Sequence, residues 1–171
     1  MNTKYPLVFT AAALLGLGSS VAQAPAPSPL QLTLSQFQVQ SVTVAGKVTE
    51  KLVASDQSAP GQIVQYGLAA KNVGNTELRN VKVVLPVQPG TTFVSSAGGL
   101  LGIRTEFSID GGKNFAPAPL KRKVTVIEGG KSVTREVAVK PSEYQAVRWN
   151  IGALKPGETK NFVLRVKVQS P

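Results

Sequence analysis

The chain has 171 residues, no Cys and no His, and 19 Lys plus Arg against 9 Asp plus Glu, for a formal charge of +10. Lacking His and Cys, it has no Ser–His or Cys–His nucleophile pair and neither the commonest general base nor the commonest metal ligand. It is also not a disulfide scaffold, and it lacks the lipid-acceptor Cys of a lipoprotein. The carboxylates are scattered, with no two close in sequence in the manner of a metal loop. The composition therefore reads as a non-catalytic protein without a cofactor, the enzymatic alternative being an acid pair assembled in space.

Residues 1–24 read as an export signal. Lys4 supplies the positive start, residues 7–17 an apolar run, and Ala22-Gln23-Ala24 a small-residue cleavage pattern. Cleavage after Ala24 would leave Pro25 at the new N-terminus, a poor substrate, so cleavage after Ala22 is the alternative. The apolar run falls short of the ~20 residues of a spanning helix, and no later stretch is apolar enough to cross a bilayer. An exported chain without Cys points to a prokaryotic periplasm, cell envelope or medium.

Residues 25–35 begin Pro-Ala-Pro-Ser-Pro and read as a stiff extended lead. Residues 36–171 suffice for one domain. A first strand is expected from Phe37 through Val44, continuing past Gly46 to Ala54. Pro60-Gly61 then reads as a type II turn, because Pro presets φ and Gly takes the positive φ that follows. The clearest strand comes next, with Val64, Tyr66, Leu68 and Ala70 on one face. Residues 72–75 form a turn, and Val81, Val83 and Leu85 a strand stopped by Pro86. A second type II turn, Pro89-Gly90, launches a short strand over residues 91–95 that ends in a flexible Ala97-Gly98-Gly99.

Asp110-Gly111-Gly112 is a hairpin turn sequence, and an extra hairpin over about 121–140 turns at Gly129-Gly130. Residues 144–151 carry Trp149 on one face with Val147 and Ile151. Pro156-Gly157 is the third type II turn and launches the last strand, with Phe162, Leu164, Val166 and Val168 inward. Many short strands at regular spacing, and no amphipathic helix, predict an all-β, immunoglobulin-like antiparallel β-sandwich.

Several of these motifs, in order, carry a likeness. Pro60-Gly61, Val64-x-Tyr66-x-Leu68, Asn72-x-Gly74, Val81-x-Val83, Leu85-Pro86 and Pro89-Gly90-x-x-Phe93 are followed by a closing Trp149-x-Ile151-Gly152-x-Leu154-x-Pro156-Gly157. Over about 47–169 the chain resembles the bacterial surface family known as domain of unknown function 11. That resemblance implies an immunoglobulin-like sandwich at a prokaryotic surface, with no catalytic or ligand residues to carry over. Members often occur as tandem repeats, whereas this chain has one copy and a longer stretch between residues 110 and 141.

Three features bear on function. Ser108-Ile109-Asp110-Gly111-Gly112-Lys113-Asn114-Phe115 resembles the Asp-box of sialidase-type propellers, a hairpin-shaping motif remote from catalysis. A stable Asp-Gly-Gly hairpin is the simpler reading. Trp149 and Tyr144 invite comparison with a carbohydrate-stacking pair, but strand alternation assigns Trp149 to the core. Lys121, Arg122 and Lys123 are the densest positive run and the candidate contact for an anionic partner. Sparse aromatics speak against specific nucleic-acid binding. The expected function is that of a structural or adhesive envelope protein touching other envelope proteins or anionic surface polymer. A glycan- or polyanion-binding module is the alternative.

Overall fold

A computed structural model describes residues 28–55, 57–98 and 102–170. The expected export signal and the start of the expected Pro-rich lead lie outside the described residues. The chain is an all-β antiparallel sandwich. Its strands are β1 (Leu30–Val44), β2 (Lys47–Ala54), β3 (Ile63–Asn72), β4 (Leu78–Pro86), β5 (Thr91–Gly98), β6 (Ile103–Ser108), β7 (Lys121–Glu128), β8 (Lys131–Ala138), β9 (Ala146–Leu154) and β10 (Thr159–Val168). A 3-10 turn, Pro141–Glu143, precedes β9. The larger sheet runs β2-β1-β3-β10-β5, the smaller β4-β9-β6, and β7-β8 pair only with each other.

Each Pro-Gly pair is a type II turn. The carbonyls of Ala59, Gln88 and Lys155 accept from the N–H groups of Gln62, Thr91 and Glu158 at 3.2, 3.1 and 3.0 Å. Gly61, Gly90 and Gly157 have φ of 82°, 76° and 76°, the left-handed values for which a side chain is unfavourable. The strands these turns launch, β3, β5 and β10, are contiguous in the larger sheet.

The core lies where period-two faces of the two sheets meet. Val64 and Leu68 of β3, and Phe162, Leu164 and Val166 of β10, oppose Val83 of β4 and Val147, Trp149 and Ile151 of β9, all buried. Trp149 lies 4.9 Å from Phe162 between ring centroids. Phe93, Phe107 and Tyr144 form a second aromatic cluster at 4.7 to 5.5 Å. Trp149 and Tyr144 are therefore both interior, 0% and 4% exposed, and neither offers a face to a sugar.

Asn72, wholly buried, ties one end together. Its Nδ2 donates to the carbonyls of Thr76 and Leu154 at 2.8 and 2.9 Å, and its Oδ1 accepts from Gly74 N–H at 2.9 Å. Its backbone N–H donates to Glu158, and its carbonyl accepts from Gly157. One amide thus links the end of β3, the turn after it and the β9–β10 turn, leaving none of its own polar atoms unpaired.

Three expectations are corrected. Residues 36–54 are two strands rather than one: Ala45 and Gly46, at φ of 50° and 78°, make a two-residue hairpin loop between β1 and β2. The sequence signalled only Gly46, and the cross-strand ladder holds Ala45 in a region it does not favour. Residues 30–35 are part of β1, paired with β3 from Leu30↔Asn72 onward, rather than an extended lead. Ala97 and Gly98 continue β5 against β10 rather than forming a flexible end. A Cβ at Gly98 would lie 2.5 Å from Phe162 Cδ1 and 2.8 Å from Trp149 Nε1, so the glycine marks a close approach.

Gly98→Ala is expected to lower stability by about 2 kcal/mol through overpacking. Asn72→Ala, which strands two carbonyls and an N–H, is expected to cost about 3 kcal/mol. Urea unfolding at neutral pH measures both, and a loss under about 0.5 kcal/mol, the range of a plain surface substitution, would contradict either assignment.

Candidate interaction surfaces

The basic run sits at the base of the β7–β8 ribbon. Leu120 and Val139, both buried, close that base through a 2.8 Å bond from Val139 N–H to the Leu120 carbonyl. The ribbon projects beyond them, every residue of β8 being exposed. Successive strand residues face opposite ways, so Lys121 and Lys123 lie on one face and Arg122 on the other. Lys121 Nζ is 3.8 Å from Glu136, and Arg122 Nη1 is 2.5 Å from Glu143. The run is thus divided between two faces and partly neutralised, rather than forming a single cationic patch.

The Asp-box-like segment is a loop between β6 and an antiparallel bridge from Phe107 to Ala116. Ser108 Oγ donates to Asp110 Oδ1 at 2.7 Å and accepts from Gly112 N–H at 2.9 Å. The same Oδ1 accepts from the N–H groups of Lys113 and Asn114 at 3.1 and 2.9 Å, and Asn114 Nδ2 donates to Oδ2 at 2.7 Å. The Asn114 backbone amide first, then the Ser108 hydroxyl and the Asn114 side chain, hold the Asp110 carboxyl well below the usual carboxylate range. The motif shapes the loop, which in turn sets Phe115 over the Arg148 guanidinium at 4.2 Å.

Arg148 opens a network on the outer face of the smaller sheet, which the sequence did not reveal. Its Nε and Nη2 donate to Glu106 Oε2 at 2.9 and 2.5 Å, and Asn150 Nδ2 donates to the same oxygen at 2.7 Å. Glu106 is 8% exposed. The Arg148 hydrogen bond outweighs burial and, with the Asn150 bond, pulls the Glu106 carboxyl below its ordinary value. Asn150 Oδ1 is buried and has no hydrogen-bond partner, a deficit worth about 1–3 kcal/mol. Alternation on β6 and β9 contained this information only once the strands were paired: the register sets Glu106 opposite Arg148 and Arg104 opposite Asn150.

The larger sheet presents a different surface. Residues 30–36 of β1 pair with β3 on one side, while β2 begins pairing only at Phe37. Among the described residues no strand covers the other side. Leu32 and Leu34 pair with Ala70 and Leu68 and so share their face, yet they are 51% and 53% exposed. Among the described residues no helix is long and apolar enough to cross a membrane.

The depressed Glu106 carboxyl stabilises the fold fully above its ordinary pKa of 4.5, and that contribution fades as pH falls through the folded value. Glu106→Gln is expected to cost about 2 kcal/mol at neutral pH, with the gap to wild type closing in acid. Urea midpoints between pH 7 and pH 3 measure it; a gap that widened in acid would contradict the assignment.

Compared with models of known protein families the chain matches none, and compared with curated proteins it likewise finds no match.

Proposed function

We propose that this is an exported, non-catalytic component of a prokaryotic cell envelope, structural or adhesive, that works through contacts with other envelope proteins or surface polymer. The single observation that carries this reading is the edge of β1 over residues 30–36, which no strand covers among the described residues. An extended segment of a partner adding alongside residues 30–36 gains main-chain hydrogen bonds, and Leu32 and Leu34 supply apolar contact at alternate positions. Edge strands are commonly blunted by Lys or Pro, and Gln31-Leu32-Thr33-Leu34-Ser35 contains neither. The expected leader over residues 1–24 supports export. The eight described carboxylates are all engaged structurally, seven in ion pairs and Asp110 in its loop, which supports a non-catalytic role.

A second reading, a module for glycan or another polyanion, is favoured by what those pairs leave over. Five of the six arginines are matched to carboxylates; Arg104 has no ion pair among the described residues, nor does Lys82.

Fractionation of the cells that make the protein tests the first reading. The native chain is expected with the envelope, and Leu32→Thr/Leu34→Thr, which preserves charge and strand propensity, is expected to reduce that share several-fold with an unchanged unfolding midpoint. Equal recovery of both proteins with the envelope would refute the edge contact, and cytoplasmic native protein would refute export.

A further inference from the structure

We propose that the outer face of the smaller sheet is a binding site for an acidic saccharide unit, one bearing a carboxylate beside ring hydroxyls. The inference deepens the polyanion reading and rests on it, but assigns the contact to a place and a ligand class.

Register builds the site. Lys82 on β4 and Arg104 on β6 are the direct cross-strand neighbours of Asn150 on β9. The residues flanking them along the strands, Val83, Trp149 and Ile151 among them, are buried in the core. Lys82, Asn150 and Arg104 therefore form a row facing outward. Next to this row lie Gly102 and Gly152, where a Cβ at Gly152 would meet only the Gly102 carbonyl oxygen at 4.0 Å. The result is an open depression of about 390 Å³, with Glu106, Arg148 and Ile151 also in its lining. Asn80, at φ of 53° within β4, stands at its rim.

The chemistry of the lining selects the ligand. Glu106 accepts its hydrogen bonds from Arg148 and from the Asn150 amide N–H, and Arg104, although its charge helps to depress that carboxyl, makes no ion pair with it. Lys82 and Arg104 then offer an anion two separate donors across the sheet. Asn150 Oδ1, its amide nitrogen already engaged, lacks a donor. A carboxylate satisfies the first pair and a hydroxyl the last, and the space left beside them by Gly102 and Gly152 leaves room for a ring. A simple anion supplies the charge without the array of hydroxyls, whereas a neutral sugar supplies hydroxyls without the charge.

Calorimetry with the purified protein and a short oligomer of glucuronic acid tests the site. Binding is expected to weaken about tenfold for each of Lys82→Gln and Arg104→Gln, both exposed positions, the size of one charge-assisted hydrogen bond. The O-methylated oligomer, charged but without hydroxyl donors, is expected to bind about tenfold more weakly, and Lys121→Gln/Lys123→Gln to bind like wild type. Inorganic phosphate or a neutral oligosaccharide binding as tightly would overturn the saccharide assignment. Loss of binding in the ribbon variant, with Lys82→Gln/Arg104→Gln unaffected, would overturn the site and leave the polyanion reading standing. No binding of the oligomer even at low salt would overturn both.

Discussion

A sheet of three strands cannot cover a sheet of five, and much of the outward character of this protein follows from that mismatch. Burial is driven by apolar area removed from water, and β4-β9-β6 supplies it most fully to β3 and β10, whose inward residues are nearly inaccessible. Beyond that shadow β1 keeps the same alternation, but Leu32 and Leu34 remain half exposed. The long β1 also outruns β3, so residues 40–51 pair only as a ribbon with β2. A second ribbon, β7-β8, leaves the opposite part of the chain at a base closed by Leu120 and Val139.

Electrostatics follow from the scarcity of acids. With twice as many basic as acidic residues, each described carboxylate is drawn into a local role, whether holding a ribbon, closing a loop or fixing an arginine. Glu50 reaches from β2 to Arg165 on β10 at 2.8 Å, and Glu106 organises the outer face of the smaller sheet. There a sequence of dependencies runs from the Asp110 loop to Phe115, to Arg148, to Glu106 and to Asn150. The loop is a hairpin device in itself, and its consequence is the placing of a guanidinium more than 30 residues along the chain.

Legibility in the sequence followed the range of the physics. Pro60-Gly61, Pro89-Gly90 and Pro156-Gly157 were readable because φ preferences act within four residues. The inward faces of β3 and β10 were readable because alternation with one buried side leaves a period of two. The β1–β2 loop was missed because Ala45 has no intrinsic turn preference; eight residue pairs of ladder impose its conformation. Gly98 was misread as looseness because a glycine required by Trp149 and Phe162 looks, in sequence, like a glycine required by nothing. The basic run at Lys121, Arg122 and Lys123 was conspicuous in one dimension, and strand alternation divided it.

By itself, then, the sequence determined the fold class, the three Pro-Gly turns, the inward placing of Trp149 and Phe162 and the surplus of positive charge, since each depends on local conformational preference or on composition. Tertiary structure alone decided which strands became neighbours, and with them the surfaces. Only pairing across β4, β9 and β6 brings Lys82, Asn150 and Arg104 into one row. Only the pairing register, in which β2 joins β1 no earlier than Phe37, leaves the edge of residues 30–36 uncovered among the described residues. Such juxtapositions join residues tens of positions apart through backbone hydrogen bonds common to every residue type, so they leave no local mark in the chain that encodes them.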